Sequence, residues 1–192
     1  MSAADISSPK RDHLMATAWR LFYRDGYRAV GIDMILAEAG VAKMTLYNHF
    51  ASKEELIIAV LEKRDCEFRQ SIIAKVEAAG LDPEQRLLAV FDWVEGWFGS
   101  EGFRGCAFIR ALSEYPDPAH PIHQTAWHHK LAVLSALKDL CTAAGAKDAE
   151  SLANTLGLLI DGAIIAAHAT CTTAPARSAR ATAASLLKLA AA

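Results

Sequence analysis

Between Lys43 and Lys53 the chain gathers Lys43, Met44, Thr45, Tyr47, Asn48, His49 and Lys53 into one short stretch. These side chains supply ammonium, hydroxyl, phenol, amide and imidazole donors around a single thioether. Short donors and a basic tip reach phosphate oxygens, which set the register of a protein on a duplex, while only a few side chains reach base edges. A short helix with such a polar outer face suits the major groove, where each base pair shows a distinct pattern of donors and acceptors.

The surrounding elements are those that would present this face. Ile32, Ile35, Leu36 and Ala39 recur at helical spacing and predict a helix with one buried side. Gly40 ends it, because glycine enters the left-handed conformation of a helix stop at little cost. Val41 and Leu46 are expected to pack a second short helix back on the first, with Phe50 also in the core. Ser52 and Glu55 form a capping box that opens a long helix running to about Ala79 and stopped by Gly80. Upstream, Ser8-Pro9 caps and starts a helix whose Leu14, Ala18, Leu21 and Phe22 give an apolar stripe with Trp19 beside it, closed by Gly26.

On these residues the chain resembles a known family. Gly40-Val41-Ala42-Lys43-Met44-Thr45-Leu46-Tyr47-Asn48-His49-Phe50, followed by Ser52-Lys53-Glu54-Glu55-Leu56, is similar to the helix-turn-helix signature of TetR-type transcriptional regulators. The resemblance implies an all-α fold of about nine helices: an N-terminal three-helix DNA-binding domain over residues 1–55, and a C-terminal helical ligand-binding and dimerisation domain over 56–192. It implies that Lys43, Met44, Thr45 and Asn48 face base edges or the groove wall. Tyr47, His49, Lys53 and the helix start at Gly31 would meet phosphates. The family often carries Ser or Thr before the recognition helix; here the position is Ala42, which removes a helix cap and one phosphate contact. Gly105-Cys106-Ala107-Phe108-Ile109, Glu114 to Pro121 and Asp161-Gly162 are similar to one branch of TetR-type C-terminal domains, without implied residue roles.

The rest of the chain reads as helices alone. Asp82-Pro83 starts one carrying Leu87, Leu88, Phe91, Val94, Trp97 and Phe98; others are expected over Phe103–Glu114, Ile122–Ala144, Asp148 to about Ala169, and Pro175–Leu189. The three prolines within residues 115–121 mark a loop. Trp93, Trp97, Phe98, Phe108 and Trp127, with Asp161 and His168 as polar residues in an apolar helix, could line a pocket for a small hydrophobic or aromatic effector; the alternative is that the aromatics are core and Asp161 bonds between helices. Gly157, Gly162, Ala163, Ala166 and Ala167, with Leu186, Leu187 and Leu189, permit close helix approach, either in a seam between two copies or within one chain.

Several function classes are excluded or set aside. At 53% hydrophobic residues the chain can build a core. Residues 1–64 hold nine Lys/Arg against eight Asp/Glu, and the remainder eleven against fourteen, so a mildly basic head sits on an acidic body. The four cysteines are scattered without a C-x-x-C pair and are expected to be reduced. His120, His123, His128 and His129 lack the spacing of a zinc protease motif, and neither a Gly-x-Ser-x-Gly elbow nor a phosphate-binding glycine loop occurs, so no enzyme, metal or cofactor is expected. Met1–Ser8 lacks the apolar stretch of a leader, and the charge-free run Gly162–Ala176 is too short and weakly apolar for a membrane span, which points to a cytoplasmic protein. The expected partners are double-stranded operator DNA, a small-molecule effector and a second copy of the chain. The alternative is a small-molecule- or metal-binding helical protein that reads no specific DNA.

Overall fold

The computed structural model describes residues 8–191, all helix and loop; most of the Met1–Ser8 segment lies outside them. Nine helices are described: α1 (Pro9–Asp25), α2 (Ile32–Ala39), α3 (Lys43–Tyr47), α4 (Lys53–Ala78), α5 (Pro83–Phe98), α6 (Ala107–Glu114), α7 (Pro121–Ala143), α8 (Ala149–Thr170) and α9 (Ala174–Ala191). They sort into two compact units, one made of residues up to Asp65 together with Ala107–Trp127, the other of Cys66–Cys106 and His128 onward. The division therefore cuts α4 and α7.

In the first unit the sequence signals act as expected. Ser8 Oγ accepts from Arg11 N at 3.2 Å, and Gly26 leaves α1 at a φ of 95°. Gly40 closes α2 in the left-handed region. Glu55 N donates to Ser52 Oγ at 3.1 Å, while the Glu55 carboxylate accepts from Ala51 N, one residue further back than the usual capping box. Leu14, Ala18, Phe22, Ile35, Leu46, Phe50, Leu56 and Ile57 are buried and form the core of α1, α2, α3 and the start of α4. Trp19 is only half-buried; it stacks on Tyr23 at 4.6 Å and lies 4.4 Å under the Arg64 guanidinium.

One boundary differs. The helix expected from Phe103 starts at Ala107, because Gly102 and Gly105 both take positive φ and interrupt the turn between them. The resulting short α6 carries Arg110 and Glu114 one turn apart, and both reach back to α1.

In the second unit, α5, α8 and α9 pack on one another. Arg180 Nε donates to Asp92 at 2.6 Å and Arg177 to Glu95 at 2.8 Å, holding α9 on α5. Gly157 fits under Leu134 of α7, where a Cβ would lie 2.7 Å from a methyl group, so this glycine serves packing within the chain. By length and composition α8 could cross a membrane, but its Leu152, Leu156, Ile160 and Ile164 are buried as in a core helix.

Candidate nucleic-acid interface

Five residues make α3, too few to be stable alone. It is held by Leu46, which is fully buried, and by Phe50 just beyond its end, 1% exposed. With Leu46 inward, the helix turns Lys43, Met44, Tyr47 and Asn48 to solvent. Met44 is 71% exposed, an unusual setting for a large apolar side chain in a free surface. Thr45 is half-buried at the side of the helix. Ala42 stands at the N-cap with extended backbone and offers no side-chain acceptor, so the first N–H groups of α3 have no side-chain cap.

The flanking candidates are more engaged. His49 is half-buried, its Nε2 lies 3.4 Å from Ser8 Oγ, and its ring meets Phe50 edge-on. Lys53 Nζ donates to Arg28 O at 3.4 Å. Burial lowers the Lys53 pKa, with Arg28 acting in the same direction and Glu54 and Glu114 opposing. Gly31 caps α2 in ordinary extended backbone, and a Cβ there would meet nothing, so what the glycine contributes is an open approach to the exposed helix start. The unit thus brings Gly31, Arg28 and Lys53 together on one side of the turn before α2, and Lys43 to Asn48 together on α3.

A support that no periodicity revealed comes from α6. Glu114 accepts from the backbone N–H groups of Tyr27 at 3.1 Å and Arg28 at 2.6 Å. Arg110 Nη1 donates to the carbonyls of Phe22 and Tyr23, at 3.2 and 2.9 Å, satisfying the open end of α1. Tyr27, 1% exposed, donates its hydroxyl to Ala107 O. The Arg28 guanidinium lies 5.1 Å over the Tyr115 ring, and Tyr115 is held raised in pKa by burial first and by Glu114 and Glu54 next. The Glu114-Tyr115-Pro116 pattern was visible in the sequence; a partner 86 residues away was not.

The residues read as a pocket do not converge. Trp93, Trp97 and Phe98 pack together with Phe103 and with Phe68, which stands edge-on to Trp93 at 4.7 Å and to the buried His129 at 5.1 Å. Phe108 and Trp127 belong to the other unit, Phe108 buried and Trp127 48% exposed. Asp161 is ion-paired with Lys130. His168 is exposed, its ring near Phe103 and against Gly105. A cleft of about 350 Å³ lies instead beside the aromatic cluster, lined by α4, α7 and Val90 of α5. Among the described residues no group of three His, Cys, Asp or Glu could hold a metal ion.

Comparison with known proteins agrees with this geometry. Residues 14–60 match the profile described as bacterial regulatory proteins, tetR family. A TetR-family transcriptional regulator from Streptomyces coelicolor is similar over 95% of this chain and 96% of its own, at 34% identity and a TM-score of 0.91. The transcriptional regulator YjdC of Escherichia coli is 26% identical over 81% of each chain. The transcriptional repressor NemR of Escherichia coli is 28% identical over 108 residues, 56% of this chain and 54% of its own.

Proposed function

The chain belongs to the TetR family of transcriptional regulators, DNA-binding proteins rather than enzymes, and on that premise we propose that it is a homodimeric, cytoplasmic repressor released from its operator by a small apolar or aromatic effector. The observation that carries the DNA-reading part is α3 itself. Leu46 anchors it, while Met44 and Tyr47 stand exposed at 71% and 42% beside Lys43 and Asn48. We assign base-edge contacts to Lys43, Met44, Thr45 and Asn48, and phosphate contacts to Tyr47, His49, Lys53 and the start of α2 at Gly31. DNA reading is given to residues 1–55, and effector binding and dimerisation to residues within 56–192. Repression, rather than activation, follows the name of NemR among the similar proteins.

The reading requires two heads, because half-sites of an operator lie about 34–36 Å apart, one turn of the duplex. Leu158 and Ile165 of α8 and Leu189 of α9, exposed at 75%, 59% and 74%, form an apolar surface suited to a second copy. An effector releases DNA only if it binds one spacing of the heads better than the other. Band-shift titration against genomic fragments tests the proposal. A discrete complex is expected on few fragments, with Tyr47→Ala about tenfold weaker from the loss of a charge-assisted hydrogen bond. Equal affinity for all fragments in both proteins would sink it.

A further inference from the structure

Along α5, Arg86, Val90, Trp93 and Trp97 follow at helical spacing and share one face. Trp93 and Trp97 meet Phe68 of α4, and Phe68 meets His129 of α7. One turn on, Val90 lines the 350 Å³ cleft with Ile72 and Ile73 of α4 and Val133, Ala136 and Leu140 of α7. Ile73 stands 54% exposed there, although it is large and apolar. A further turn on lies Arg86. Its Nε is buried and is the one buried side-chain nitrogen or oxygen without a hydrogen-bond partner among the described residues. Such donors are nearly always satisfied, and a guanidinium is best satisfied by a carboxylate. Arg69 and Asp139 also line the cleft with opposite formal charges, so Arg86 adds the excess positive charge at this end.

The trough thus has an aromatic end, an apolar middle and a cationic end. From Trp93 to Arg86 is seven residues of helix, about 10 Å at roughly 1.5 Å per residue. We infer that this cleft between α4, α5 and α7 binds an arylalkanoate: an aromatic ring against the Phe68–Trp93–His129 end, an alkyl chain across Val90, and a carboxylate at Arg86. That such a ligand acts as the effector rests on the DNA-reading function proposed above; that it binds does not.

Isothermal titration of the full chain, without DNA, with 5-phenylpentanoate, 5-phenylpentan-1-ol and phenylacetate tests the site. The long acid should bind at least about tenfold tighter than the alcohol, the margin of a charge-assisted pair, and tighter than phenylacetate, which cannot span the trough. Arg86→Met and Arg86→Gln should bring acid and alcohol within about twofold, Arg86→Lys should keep most of the preference, and Ala136→Trp, at an exposed wall position, should abolish both. The inference is overturned if the wild type takes up neither compound or does not distinguish them, or if whichever of Arg86→Met and Arg86→Gln retains the wild-type melting profile still prefers the acid. A band shift then separates the two claims. Acid that binds through Arg86 yet leaves the operator complex intact overturns its effector role. Wild-type protein that binds no operator overturns the DNA-reading proposal and leaves the calorimetric result standing.

Discussion

Leu46 and Met44 sit two residues apart on α3 and face opposite ways, one fully buried and the other 71% exposed. Leu46→Ala should cost about 2–5 kcal/mol of stability, since it opens a cavity under a helix too short to hold itself. Met44→Ala should change stability by less than about 0.5 kcal/mol and, on the proposed reading, alter sequence preference. Denaturant melts of both variants, followed by operator binding, would separate anchor from reader; equal destabilisation would argue that α3 is not presented as described. The cysteines differ in the same way. Burial pushes the Cys141 thiol up to about 11, whereas Cys66 and Cys171 are exposed. Thiolate is the reactive form, so at pH 8 iodoacetamide should label Cys66 and Cys171 first and reach Cys141 only on unfolding, as read by peptide mass spectrometry.

Among the elements, α6 supports the DNA-reading unit although it lies far along the chain. Its Glu114 receives two N–H groups of the turn between α1 and α2, and Gly26 makes room for it: a Cβ there would lie 2.8 Å from Glu114 Oε1, on a backbone with φ of 95°. Gly26→Ala should therefore combine left-handed strain, about 1–2 kcal/mol, with displacement of the carboxylate. A lower melting temperature with weaker operator binding is expected. A variant as stable as the wild type would show that this clamp adds nothing. The capping signals at Ser8, Ser52 and Asp82 were legible from residue type alone, because a cap and the N–H it accepts from lie within three residues. The start of α6 was not, because Gly102 and Gly105 sit among residues that otherwise favour helix and only their backbone angles show the interruption.

For the whole molecule, the proposed dimer makes a direct prediction. Leu158→Glu with Ile165→Glu places two charges on the exposed apolar face of α8 without touching its buried face. Sedimentation should then report a monomer that still melts cooperatively and binds operator far more weakly; a double variant that remains dimeric would move the interface elsewhere. The sequence by itself determined the helical class, the helix-turn-helix and the family, because each rests on residues within about one helix length of their partners: spacing, caps, stops and a contiguous signature. Only the tertiary structure decided that residues 107–127 join the N-terminal unit, that the candidate pocket residues Phe108 and Trp127 stand apart from Trp93 and Trp97, that Asp161 is taken up by Lys130, and that Phe68, His129 and Arg86 border the cleft. Those relations join helices distant along the chain. Periodicity reports which face of a helix is apolar, but not which other helix covers it.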